Sequence, residues 1–315
     1  MTSPALRRYA NIVAGSTFLL LLAGGMVTST GSGLAVPDWP LSFGQWMPPM
    51  KGGVLYEHGH RVLAATVGLL IVIQALWLWR REPRGWVRVL GWLALTGVVL
   101  QGVLGGLTVL LRLPDLVSVS HAALAEIVFG LTVAIAVALS RSWRSGEGVI
   151  VDAGEPALRT LGVIVAVPLF LQIVLGAVVR HTGAGLAIPT FPLAYGRLVP
   201  PLENLPVALH FAHRVGALVV AAVVAWTAVR AWRQHRNDLW LLRPALALAG
   251  LVVLQAALGG WVVLSAKTAW IATAHLGVGA LMWGTALLFA LRAGRRLRLA
   301  PPPAGREPLP LVAVR

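Results

Sequence analysis

Eight long apolar runs constrain this chain more than any other feature. They lie near residues 10–30, 54–79, 88–111, 118–140, 157–180, 205–231, 241–264 and 269–291. A helix of about 20 apolar residues spans the ~30 Å hydrocarbon core of a bilayer. Only helices and closed barrels satisfy every backbone polar group there, and runs of this length point to helices. Composition agrees. The 315 residues are 57% hydrophobic and 12% charged, against roughly 25% charged in soluble domains. Mean hydropathy is +0.79. The expected fold is an all-α membrane protein with eight transmembrane helices. The first run continues into a motif that recurs later, so it reads as a retained helix rather than a cleaved signal.

The net charge of +15 raises the question of nucleic acid, but no basic face or binding motif accompanies it. The basic residues cluster in alternate connections: Arg7 and Arg8; Arg80, Arg81, Arg84 and Arg88; Arg141, Arg144 and Arg159; Arg230, Arg233, Arg236 and Arg243; and Arg292, Arg295, Arg296 and Arg298. The positive-inside rule then places both termini in the cytoplasm of a bacterial-type inner membrane. The proline-bearing end, 299–315, reads as a disordered cytoplasmic tail. The chain has no cysteine, which excludes disulfides, thiolate metal sites and cysteine nucleophiles.

The chain also repeats itself. Gly31 to Leu41 (GSGLAVPDWPL) matches Gly183 to Leu193 (GAGLAIPTFPL), and His60-Arg61-Val62 matches His213-Arg214-Val215. Leu100-Gln101 and Leu104-Gly105-Gly106 match Leu254-Gln255 and Leu258-Gly259-Gly260, and Ser120-His121 matches Ala274-His275. The offset stays at 152 to 154 residues. The expected organisation is two tandem four-helix bundles, 1–145 and 157–298, joined by a cytoplasmic linker at 146–156. Each unit has an even number of spans, so the copies share one orientation. A pseudo-two-fold axis along the membrane normal should relate them. The paired glycines suit close helix contact.

Ionisable residues inside a membrane are costly and tend to be functional. Four histidines recur across the repeat: His60 and His121 in the first unit, His213 and His275 in the second. In each unit they lie near the outer ends of the second and fourth helices. Two imidazoles facing each other across a bundle can supply both axial ligands of a heme iron. A lone intramembrane histidine also serves as a helix–helix hydrogen-bonding residue, but two matched pairs favour ligation. Arg61 and Arg214 follow two of these positions. They are available for the propionates of a porphyrin or for snorkelling to headgroups. Trp39, Pro40, Phe191 and Pro192 lie in loops placed to cap the pockets from outside. His235 reads as a solvated loop residue, and His181 as interfacial.

The halves differ at one informative place. Glu57 lies one helical turn before His60, whereas the equivalent position in the second unit is His210. Only the first pocket therefore has a carboxylate beside a candidate ligand. It can move protons or stabilise positive charge there, or simply pair with Arg61. Asp38 is likewise replaced by Thr190. Such divergence suggests chemistry in the first half and electron transfer in the second.

Taken together, the 31–41 loop, Glu57-His58-Gly59-His60-Arg61, Ser120-His121, His213-Arg214-Val215 and Ala274-His275 resemble the heme A synthase family over most of the chain, from about Gly24 to Trp283. The resemblance implies oxidation of the C8 methyl of heme O to a formyl group by successive hydroxylations, giving heme A for cytochrome c oxidase. It implies that His213 and His275 hold a b-type heme, that His60 and His121 bind the heme O/heme A porphyrin, and that Glu57 is the acidic residue needed for activity. Heme O synthase and an electron-transfer protein are the implied partners. Many bacterial members carry two cysteines near the positions of Val36 and Ser42, which this chain lacks.

Two other readings use the same residues differently. A diheme b-type electron carrier linked to quinol would need the four histidines but not Glu57. A duplicated transporter would need a polar central pathway, which the spans do not offer.

Overall fold

The computed structural model describes residues 3–144, 150–152 and 154–299. The expected tail beyond 299, and most of the first half of the expected linker, lie outside the described residues. Among the described residues, eight helices are long and apolar enough to cross a membrane. They are α1 (Pro4–Ser29), α2 (Gly53–Arg81), α3 (Gly85–Leu110), α4 (Asp115–Leu139), α6 (Leu158–His181), α7 (Leu205–His235), α8 (Leu239–Leu264) and α9 (Ala269–Arg296). A one-turn helix, α5 (Arg141–Arg144), follows α4. Two short strands, β1 (Ile150–Asp152) and β2 (Leu297–Leu299), pair in parallel.

The helix starts have local causes. Ser3 Oγ accepts from Ala5 N ahead of Pro4, whose fixed φ suits the first helical position. Asn204 Oδ1 accepts from Val207 N at 3.0 Å, and Asp238 Oδ1 from Trp240 N at 3.1 Å. Asp152 Oδ2 accepts from Leu158 N, so the strand pair also caps α6. The expected linker therefore contributes a strand, β1, to this pair. The pair carries a correction: His235 is not solvated. It ends α7 only 8% exposed, with Nε2 3.8 Å from Asp152 Oδ1.

Within each half the helices pack as a closed ring. α1 touches α2, α2 touches α3, α3 touches α4, and α4 returns to α1. The same ring runs α6, α7, α8, α9 and back to α6. The halves meet through α1 on α9, α4 on α9 and α4 on α6. Burial agrees with this. Half of the most apolar window of α4 and 39% of that of α9 is buried, against 17–28% for the other six. α4 and α9 are therefore the central helices, and the rest present apolar side chains outward, as lipid-facing helices do.

The buried aliphatic residues are not spread evenly along the helices. In the first half they include Leu6, Ala10, Val13, Val67, Ile71, Leu78, Val87, Ala94, Val128 and Ile135. In the second half they include Leu158, Leu161, Val165, Val220, Val224, Leu241, Leu248 and Ala286, packed with the ring of Phe289. They occupy the middle of their helices and the ends nearest the chain termini and the strand pair, here called the terminal face, while a smaller cluster of Ile188, Ala194 and Val207 lies at the opposite end. The opposite end carries the long connections 30–52 and 182–204 and is called the loop face. The four repeated histidines lie on that half.

Candidate functional site

His60, His121, His213 and His275 each sit within roughly 12 Å of the loop-face end of their helix, at 1.5 Å per residue. Each lies against a glycine of the preceding helix. A Cβ built on Gly24 of α1 would stand 3.0 Å from His60 Cε1, and one on Gly105 of α3 would stand 3.3 Å from His121 Cε1. In the second half, Gly176 of α6 places such an atom 3.0 Å from His213 Cε1, and Gly259 of α8 places it 3.0 Å from His275 Cε1. Missing side chains on four facing helices thus make room for four imidazole rings and limit where each can lie. The two rings of each pair are close enough to interact electrostatically, His60 with His121 and His275 with His213.

Three glutamines work at the same level. Gln101 Nε2 donates to the His121 carbonyl at 3.0 Å. Gln172 Nε2 donates to the His213 carbonyl at 2.7 Å and is hydrogen-bonded to His213 Nδ1 at 3.0 Å. Gln255 Nε2 stands 3.5 Å from His275 Nε2. Reading the repeat as helix packing missed these contacts. Gln101 and Gln255 were visible as matched residues, and Gly24 and Gly176 stand at the repeat offset of 152 residues.

The site fits a porphyrin on three observations. The Nδ1 atoms of His60, His121 and His275 are buried without a hydrogen-bond partner among the described residues. Buried polar groups without partners are rare and call for an explanation such as an absent ligand. All four rings remain partly accessible rather than sealed in a core. The three larger clusters of buried apolar residues lie from mid-helix toward the terminal face, and the histidine half carries only the small cluster of Ile188, Ala194 and Val207. Among the described residues no three His, Asp or Glu side chains converge. The donor sets are pairs of imidazoles, which suit axial coordination of a planar macrocycle.

The loops close over this half in matched fashion. Gly106 faces Trp39, with a built Cβ 2.8 Å from the indole, and Gly260 faces Phe191 at 2.6 Å. Each loop turns through two residues of positive φ, Phe43-Gly44 and Tyr195-Gly196. The backbone there favours glycine at the second position. Asp38 accepts from Phe43 N at 2.7 Å and Gly44 N at 2.8 Å, and these amides hold its carboxyl below the usual aspartate range. Thr190 Oγ1 does the equivalent work by accepting from Tyr195 N at 2.8 Å.

Arg61 and Arg214 point into these loops. Arg61 donates to the carbonyls of Asp38, Leu41 and Val36 at 2.7, 3.0 and 3.1 Å, and to Glu57 Oε1 at 2.6 Å. Arg214 donates to the carbonyls of Thr190 and Ile188 at 2.7 and 3.0 Å. Glu57 is 3% exposed, and its Oε2 also accepts from Val36 N at 2.8 Å. The counterpart of that bond joins Ile188 N to His210 Nδ1 at 3.3 Å. Glu57 and His210 therefore clamp the same point of their loops, one with a carboxyl group and one with an imidazole. His58, also buried, bonds Ser42 Oγ through Nδ1 at 2.8 Å.

The glycine cradle makes a direct prediction. Gly259→Leu drives a branched side chain into the His275 ring, and overpacking of this kind costs about 1–3 kcal/mol. Gly102→Ala meets nothing within 4 Å and should leave stability unchanged. Thermal unfolding of the two variants in one detergent compares them.

Comparison with known proteins agrees with this geometry. Residues 50–287 match the model of the COX15-CtaA family, described as cytochrome oxidase assembly protein. A heme A synthase of Symbiobacterium thermophilum is 35% identical over 288 residues, covering 89% of this chain and 92% of that protein. One from Shouchella clausii is 32% identical over 282 residues, covering 87% and 90%. One from Chelativorans sp. is 30% identical over 322 residues, covering 85% of each. With its eight spanning helices and relatives of this similarity along nearly its whole length, the chain belongs to the heme A synthase family, membrane oxidoreductases of heme A biosynthesis.

Proposed function

We propose that this chain oxidises the C8 methyl group of heme O to the formyl group of heme A by successive hydroxylations. In this reading His60 and His121 hold the porphyrin being oxidised, and His213 and His275 hold a resident b-type heme. The observation that carries it is the fourfold glycine–histidine contact, set in the loop-face half of each helix ring. The two rings are read as tandem bundles, 1–145 and 157–298, about a pseudo-two-fold axis. The loop face is read as extracytoplasmic, with both termini in the cytoplasm, from the arginine clusters on the terminal face.

The resident heme supplies one-electron redox chemistry. The protein's part is to orient, enclose and set charge. The glycine cradles fix the imidazole planes, and Trp39 and Phe191 cover the loop-face ends. Glu57 places a carboxylate one turn from His60, where it can hold or pass a proton. Arg61 neutralises that carboxylate and ties it to the loop, so the acidic group and the cover over the first site move together. The second site has His210 in the same place and no acid there to pass a proton. Each hydroxylation breaks one C–H bond of the methyl group and forms a C–O bond to oxygen from water, releasing two electrons and two protons, and loss of water after the second leaves the formyl group; an external electron acceptor is therefore needed as a partner. Heme O synthase, which supplies the substrate, is the other.

The test is conversion. Membranes containing this chain and a source of heme O should yield extractable heme A. Membranes carrying the His60→Ala variant should yield heme O alone. Heme O recovered unchanged with the intact chain would refute the assignment.

A further inference from the structure

Arg180 lies between the two halves and has no role in the account above. It sits one turn beyond Gly176 on α6, on the face that carries the His213 contact. Its Nη2 crosses to α1, donating to the Gly25 carbonyl at 2.7 Å and to Ser29 Oγ at 2.6 Å. Ser29 Oγ in turn bonds Thr273 Oγ1 on α9 at 3.0 Å. Gly25 follows the glycine that touches His60, and Thr273 stands two residues before His275. One guanidinium thus joins three helices at the level of three of the four histidines. Among the described residues no carboxylate pairs with it. It lies within electrostatic range of the His275 ring. The repeat offset puts Thr28 in its place in the first half, so this charge belongs to the second site alone.

The geometry points to Arg180 as a positioning residue that places a fixed positive charge beside the His213–His275 site and raises the reduction potential of the iron held there. The inference rests on the proposed b-type heme. A cation in a low-dielectric setting favours the form with one more electron, and charge and burial are main determinants of heme potential. A raised potential makes that site the better electron acceptor, which suits a heme that must draw electrons away from a substrate bound at the first site. Hydrogen bonds from the same group tie α6 to α1, and Ser29 carries the link on to Thr273 of α9, so the residue that biases the second site also joins it to the first half.

Redox titration of the purified holoprotein, followed in the heme absorbance, tests this. Arg180→Gln should shift the reduction equilibrium of the b-type heme at least tenfold toward the oxidised form, ~59 mV for a one-electron couple. Arg180→Lys should recover most of that shift, since it keeps the charge. Ser29→Asp leaves the arginine in place but neutralises it, and should move the potential in the same direction as Arg180→Gln. If Arg180→Gln fails to assemble, Ser29→Asp decides. A normal complement of b-type heme with an unmoved potential in either charge variant would overturn the inference. A wild-type protein with no b-type heme would instead overturn the reading of His213 and His275.

Discussion

Purified His275→Ala protein is expected to lose its b-type heme almost completely while still reaching the membrane. The imidazole lies in a cradle shaped for it, with Gly259 on one side and Gln255 3.5 Å away on another. On the proposed ligation, alanine would leave His213 as the sole protein ligand. His213→Ala should behave alike, and the two losses should not add, because both remove the same group. His235→Ala supplies the control. That residue is buried on the terminal face beside Asp152, so its loss affects local packing but not heme content. A pyridine hemochrome assay per mole of protein reads all three. An unchanged heme content in His275→Ala would mean that the second histidine pair does not ligate.

The second large effect concerns Glu57. Glu57→Gln keeps an oxygen to accept from Val36 N but removes the charge that faces Arg61. Porphyrin binding at the first site should persist, because His60 and His121 are untouched. Turnover of heme O should fall by roughly 100-fold or more, the usual cost of losing a positioned acid–base group. The reverse substitution is harsher on the fold. Arg61→Ala strands a carboxylate that is 3% exposed, and breaking one partner of a buried pair costs about 3–5 kcal/mol. The loop should then loosen and Trp39 lose its seat on Gly106. Substrate binding separates the two variants: Glu57→Gln retains it, and Arg61→Ala does not. A Glu57→Gln enzyme with full turnover would assign the carboxylate to loop anchoring alone.

Much of this was legible in the residues. The spans were readable because apolar runs in lipid have few competing interpretations, and the observed helices begin and end within a few residues of those runs, except at the polar ends of α1, α7 and α9. The histidines were readable because a duplicated chain repeats what it needs. Side-chain direction was not. Arg61 and Arg214 follow the histidines in sequence, but a long flexible side chain goes to whatever acceptors the fold brings near. The loop carbonyls of Val36, Asp38, Ile188 and Thr190 are brought there only by the tertiary structure. Arg180 carries no local sign of its place, since nothing in its neighbourhood reveals that Gly25 and Ser29 of α1 will meet it. His235 looked solvated because the pairing of β1 with β2 joins segments nearly 150 residues apart, a contact that no local pattern announces.

The pigment of the purified protein tests the central claim most directly. A pyridine hemochrome spectrum of the wild-type chain should show b-type heme whether or not heme O is supplied, with heme O or heme A appearing beside it only when heme O is available. A colourless protein, or one carrying b-type heme that never acquires either modified heme, would contradict the account.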